Sequence, residues 1–418
     1  LRLDGLAGHR HAASGYTAPD GPTGGLLDAH AFILTDFQHR HLSKAACRRP
    51  VILTRDQKIS TLTGIIAVGT GAIVMFYYYG AFHGFRTYPD NTFLPNLGFG
   101  DFYGLVGAWH DTRFAGVGYG HVKAAWMPET LGRAFICTAM TYPVLFELVT
   151  GNFEGLLFIG LTLFVMLYHR GKVFWSLPFL ALAIAMKLMP AVFLVLLLAD
   201  RNYRAIFQVL LWACGFTILP LLVFHGGIRD GLLPFLSNLE ASQAMYFKLM
   251  VVEPAGNHFG HSLPNGARVP LGQNGPVGTQ ILTGYMAFGV VCFAGISLYI
   301  VRAERIFWKR VALLVCALDL LPYTSTDYKL LHFFVPMFLF VNAEESDGHD
   351  LLYAVLFGLL MIPKSWIKLY QLDFYTTNVV INTAAMIVLA ATIMMTGLWA
   401  RHSTANGCSA AETRMQCR

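Results

Sequence analysis

The chain has 418 residues, 55% hydrophobic and 13% charged, with a formal net charge of +6 and a mean hydropathy of +0.52. A soluble domain carries about 25% charged residues, so the composition excludes one water-soluble core and points to the bilayer as solvent. The positive charge does not mark a nucleic-acid partner. Lys and Arg sit in short groups beside apolar runs, where orientation in a membrane accounts for them.

A span needs ~20 mostly apolar residues, and roughly eight stretches approach that length. They are continuous runs without period-2 alternation, so the expected fold is all-α: a polytopic transmembrane helical bundle. Roughly 8–10 membrane helices are expected, joined by extracytoplasmic loops and short turns. The seven cysteines show no metal-like or disulfide-like spacing. Cys137, Cys214, Cys292 and Cys316 lie in apolar runs and read as small core residues.

Residues 1–58 are polar, rich in Gly, His and Arg, and lack both helical periodicity and a signal-peptide pattern. They are expected to form a disordered cytoplasmic tail. The first span is predicted at 59–80, oriented by Arg48, Arg49, Arg55 and Lys58 before it. Residues 81–132 then form a long extracytoplasmic loop. Apolar character resumes at 134–149 and 153–168, broken at Gly151-Asn152, and ends in a basic turn, HRGK (169–172).

Residues 173–200 are apolar apart from Lys187 and Pro190, and end in a second basic turn, RNYR (201–204). Only an even number of crossings fits between two cytoplasmic turns, yet 28 residues are short for two spans. The spacing therefore predicts a broken or re-entrant hairpin with Lys187 near its tip, covered by protein or lining a cavity.

Residues 205–225 cross outward, and a second long loop, 226–277, contains GNHFGHSLPNG (256–266). Residues 278–301 return to the basic patch RAERIFWKR (302–310). A short hairpin, 311–322 and 330–342, turns outside at PYTSTDYK (322–329). The acidic stretch 342–350 falls inside, a last pair of spans occupies 351–370 and 376–399, and 400–418 is a cytoplasmic tail. One transmembrane domain thus covers 59–399. Turns on the inner side are short and basic while the long polar loops lie outside, so site chemistry is expected to be extracytoplasmic.

Asp101, flanked by Gly and aromatics just after the first span, could act as a general base if burial lifts its pKa. Its alternative role is to cap a short helix beginning at Phe102. Lys187 lies inside an apolar run, a costly place for an ionisable group. It either holds an anion such as a phosphate or snorkels from the hairpin tip. Asn152 and Glu154 open a helix, where Glu154 answers the helix dipole or binds a sugar hydroxyl or a lysine. The turn YTSTDYKLLHF (323–333) gathers Asp327, Tyr328, Lys329 and His332 as a ligand surface, with His332 ranking below Asp327 and Lys329. No phosphate loop, nucleophile elbow or zinc motif is present in the sequence; no metal and no cofactor are expected.

Three segments, TYPVLFELVTGNFEGLLFIGLTLFVMLYHRGK (141–172), SLPFLALAIAMKLMPAVFLVLLLADRNYRA (176–205) and LPYTSTDYKLLHFFVPMFLF (321–340), resemble glycosyltransferase family 87. The order is a Gly-Asn helix start, a basic turn, a Lys-x-x-Pro helix, another basic turn and a polar turn before an apolar helix. The resemblance covers roughly 140–345 and implies a C-type polytopic membrane glycosyltransferase. That family includes polyprenyl-phosphate-mannose-dependent mannosyltransferases of the cell envelope.

The family implies a polyprenyl-phosphate-linked sugar donor, a glycolipid or glycan acceptor, a lipid bilayer around the enzyme and an inverting extracytoplasmic transfer of a mannose-like hexose. In a bacterial cell it would work at the inner (plasma) membrane. Asp101 matches the family's base position. Lys187, Lys329 and His332 become candidates for the donor phosphate, and Asn152, Glu154, Asp327 and Tyr328 for substrate. One departure is that residues 112–150 leave little room for the extra helix pair that members carry there. Either the chain is a shortened member or part of 1–130 is altered. The rival readings are a transporter or flippase of lipid-linked saccharides, against which no second Lys-x-x-Pro copy is found, and an inactive scaffold.

Overall fold

Apolar runs surrounded by lipid must satisfy their own backbone groups, and the helix does so within one segment. The computed structural model describes residues 52–82, 141, 143–144, 154–223, 227–248, 260–268, 279–323, 325–362, 364 and 377–416, all in the unit Val51–Arg418. Among these residues there is no strand, only an isolated bridge between Gly260 and Thr326. The helices in order are α1 (Arg55–Phe82), α2 (Glu154–His169), α3 (Val173–Met186), α4 (Leu194–Ala199), α5 (Tyr203–Ile218) and α6 (Gly227–Phe247). Then come α7 (Leu263–Arg268), α8 (Thr279–Arg302), α9 (Phe307–Leu320), α10 (Phe334–Asn342), α11 (Asp350–Met361) and α12 (Thr377–Gln416). Tight 3-10 turns at Met189–Phe193, Leu219–Val223 and Asp327–Phe333 lead into α4, extend α5 and lead into α10.

Among the described residues three stretches are long and apolar enough to cross a membrane: Tyr203–Leu222, Thr283–Arg302 and Thr377–Trp399. Their apolar side chains Phe207, Leu211, Val290, Val291 and Met395 are exposed, as expected of a surface that meets lipid. α9 is different. It is buried from Val311 to Leu320, packs against α8, α10 and α12, and forms the axis of the core.

The predicted hairpin between the two basic turns is present. α2 ends at Gly171 (φ 73), whose N–H bonds to Tyr168 O while Lys172 N–H reaches Leu167 O. This Schellman cap recurs at the second basic turn, with Arg201 (φ 55) bonding to Leu198 O and Asn202 to Leu197 O. α4 ends beside α2 at this end of the molecule, where the Tyr168 hydroxyl donates to Asp200 and, at 3.3 Å, to Leu196 O. Between the two basic turns the chain rises along α3 for about 21 Å, turns at Lys187, and comes back through the 3-10 turn and α4.

The basic end is tied by ion pairs. Arg310 reaches Asp200 at 3.2 Å. Lys309 reaches Asp347 at 2.6 Å, and Tyr353 donates to the same oxygen at 2.7 Å. Burial alone would raise the Asp347 carboxyl, but these two donors and the Lys309 charge bring it down to about 2. Lys58, fully buried, donates to the last carbonyls of α10, Phe340 O at 3.3 Å and Ala343 O at 3.1 Å, and lies 3.8 Å from Asp350. The turns assigned to one membrane side thus meet one another.

Lys58→Ala strands the buried Asp350 carboxylate and two carbonyls, and should lower stability by about 3 kcal/mol. Thermal unfolding in detergent checks this, and an unchanged midpoint would contradict it.

Candidate functional site

At the end opposite the basic turns, three elements converge on one carboxylate. Glu154 is the first residue of α2, where free N–H groups and the helix dipole favour a negative charge. It is only 3% exposed. One oxygen accepts the Lys187 ammonium; the other lies 2.9 Å from His332 Nε2. Because an ionised carboxylate can only accept, Nε2 carries the proton in this pairing.

The position of Lys187 follows from the sequence. Pro190 has no N–H to give Met186 O, and its ring would crowd that carbonyl, so α3 cannot continue past Met186. Lys187 is accordingly extended (φ −149, ψ 132). Its side chain remains 40% exposed although its ammonium is paired, and that ammonium lies 5.5 Å from the Tyr328 ring centre. Behind it, Lys329 is buried and feels the charges of Asp319 and Glu154. The cluster is therefore a partly exposed lysine with a fixed counter-ion and an aromatic wall. Such a group can receive an oxyanion without first recruiting a partner from water.

A second, fully buried network adjoins the first through the same turn. His261 Nδ1 lies 3.0 Å from Asp327 Oδ1 and Nε2 lies 3.2 Å from Ser325 Oγ. Asn378 donates to the other Asp327 oxygen, and Asn382 donates to Asn378 at 2.9 Å. Thr383 donates to His261 O at 2.8 Å, and the His261 N–H bonds to Ser325 O at 2.8 Å. Hydroxyl, imidazole and carboxylate follow the order of a nucleophilic triad. Yet Ser325, His261 and Asp327 are all 0% exposed, so no substrate reaches the hydroxyl. The network instead fastens α7 and its leading residues to the turn at 323–327 and to α12.

Burial opposes a charge on His261, but the Asp319 and Asp327 carboxylates outweigh it and raise the imidazole above its ordinary range. Lys364, just beyond α11, donates to Ile362 O at 2.7 Å and to Leu359 O.

Of the residues singled out by sequence, Glu154, Lys187, Tyr328 and His332 come together, with Lys329 behind them, and Asp327 anchors the adjoining network. Asp101 and Asn152 lie outside the described residues. Of the readings for Glu154, the structure shows its place at the start of α2 and its pairing with a lysine. His261, Ser325, Asp319, Asn378, Asn382 and Lys364 were not singled out. Asp319 carried a usable signal, as a carboxylate inside an apolar run, and so did the Asn378/Asn382 pair one helical turn apart in a span. Among the described residues no group of three or more His, Cys, Asp or Glu could hold a metal ion.

Comparison with known proteins adds one match. The model of glycosyltransferase family 87 fits residues 105–324, more than half of the chain and a range that includes Glu154, Lys187 and His261. No curated protein and no solved structure matches.

A raised histidine stabilises the fold fully below its unfolded pKa of about 6.5, and that contribution is lost as pH rises through the folded value. The thermal midpoint of the wild type should therefore fall from pH 6.5 upward by more than that of His261→Asn, which should start lower. Parallel pH profiles of the two proteins would contradict this.

Proposed function

The chain belongs to glycosyltransferase family 87 and is a membrane glycosyltransferase; from that premise we propose that it transfers a mannose-like hexose from a polyprenyl-phosphate sugar to an acceptor hydroxyl. The acceptor is a glycolipid or glycan, the transfer inverts the anomeric centre, and the site faces the extracytoplasmic side of a bacterial plasma membrane that the chain crosses many times. The observation that carries this reading is Lys187: a partly exposed lysine side chain at a helix break, its ammonium held by buried Glu154.

In the proposed reaction Asp101 takes the proton of the acceptor hydroxyl, whose oxygen attacks the anomeric carbon from the face opposite the phosphate. The bond from that carbon to the phosphate oxygen breaks, and the lipid phosphate leaves with the electron pair. Its charge rises as it departs, so a cation fixed beforehand stabilises the transition state more than the ground state. Lys187 fills that role, with Lys329 and His332 behind it. Asn152 and Tyr328 meet the substrate, Tyr328 as a ring surface; Glu154 is the anchor that stops Lys187 from folding away, and buried Asp327 holds the turn that carries Tyr328 from behind.

Transfer of labelled sugar from polyprenyl-phosphate donors by purified protein tests the reading. Lys187→Gln should slow transfer about 100-fold, the scale of losing one oriented charge at a developing anion. Asp101→Asn should do so at least as strongly while donor binding persists. Wild-type protein inert with every such donor would overturn the donor assignment. Unchanged transfer in Asp101→Asn would remove that residue as the base.

A further inference from the structure

The helix α6 (Gly227–Phe247) is too polar to count among the membrane-crossing stretches, yet both of its ends lie at the same boundary. It begins five residues beyond the span Tyr203–Leu222 and packs against the 3-10 turn Leu219–Val223 that closes that span. At its other end Phe247 meets the Tyr323 ring edge-on, with centroids 5.5 Å apart. Tyr323 in turn lies 5.5 Å from Tyr285, whose hydroxyl donates to Leu320 O and Leu321 O. Tyr285 sits at the start of the span Thr283–Arg302. A helix of 21 residues extends about 31 Å, the thickness of a hydrocarbon core. With both ends at one boundary, it cannot cross. It must run along the membrane plane.

Its surface suits that plane. Ile228, Leu232, Leu236 and Leu239 are exposed and fall within about 80° of one another around the helix axis, while Ser237 and Asn238 point away from that stripe. Leu233, 74% exposed, lies about 100° from the centre of the stripe, on the flank it shares with Glu240 and Ser237. Phe207, Leu211 and Ile218 of α5 are exposed as well, and so is Leu222 in the turn that α6 packs against. On α5 the bilayer covers such side chains, and the stripe of a helix docked at the end of that span calls for the same cover.

We infer that α6 is an interfacial helix, its stripe buried at the hydrocarbon edge of the leaflet on the site's side and its polar flank in the headgroup layer. It runs from a lipid-facing span to Tyr323, two residues before Ser325 and four before Asp327. The lipid surface therefore supports the turn that carries the candidate site. This inference rests on the membrane helices and not on the identity of the donor.

Wild-type protein in phosphatidylcholine–phosphatidylglycerol vesicles, doped with a phospholipid bearing a diazirine in its acyl chain, provides the test. After irradiation, peptide mass spectrometry should find lipid adducts at Leu232, Leu236 and Leu239, and hydroxyl-radical footprinting should mark the Ser237–Asn238 side. The variant L232Q/L236Q/L239Q should lose most adducts on 227–247 and keep those on α5, which also reports that the bundle is intact. Radical labelling of the leucines from water would overturn the inference. So would crosslinks from 227–247 to a second copy of the chain in place of lipid.

Discussion

The pairing of one buried carboxylate with two donors from distant parts of the chain sets the geometry of the candidate site. Glu154 is separated by 33 residues from Lys187 and by 178 from His332. A carboxylate so buried is tolerable only with its charge answered and its oxygens hydrogen-bonded, and removing either donor leaves an uncompensated ion, typically a loss of about 3–5 kcal/mol. Glu154 thus fixes the start of α2, the break after α3 and the turn leading into α10 at a single point. Where those elements sit determines where Lys187 presents its charge.

The two ends of the bundle differ in kind. At the basic end Lys58, Lys309 and Arg310 are each engaged by carboxylates, and Lys58 also by backbone carbonyls. These contacts close helix ends and fix the relative height of α1, α9, α10 and α11. At the other end, charge is packed more densely than closing helices requires, and Lys187 keeps part of its side chain open. α2 has 16 residues and extends about 24 Å, less than the ~30 Å of a hydrocarbon core. Under the proposed orientation, Glu154 and Lys187 then lie slightly below the surface, at the depth of a lipid phosphate drawn into the protein.

Much of this was legible in the chain because it rests on local rules. A basic turn with Gly171, a proline four residues after Met186 and an acidic residue opening an apolar helix each dictate a nearby consequence: a cap, a break, a buried charge seeking a partner. Even the choice of lysine for Glu154 was among the stated options. The His261 network was not legible. His261 sits in a Gly-, Pro- and Asn-rich loop, 66 residues from Asp327 and 122 from Thr383, and no local rule joins residues so far apart. Gly260 did hold a clue, since a side chain there would collide with Asn265. Its small size reflects close packing and not a flexible turn. Asp319 and the Asn378/Asn382 pair were visible as polar groups inside apolar runs, a signal that counting apolar length alone passes over.

The account stands on Lys187 being the cation that meets the lipid phosphate. The most direct measurement is a cryo-electron-microscopy structure of the protein in a lipid nanodisc with a polyprenyl phosphate bound. The account predicts phosphate density within about 3 Å of Lys187 Nζ, beside Tyr328 and on the side of α3 away from HRGK. Phosphate seated instead at the basic turns 169–172 or 302–310, with Lys187 still closed on Glu154, would contradict it.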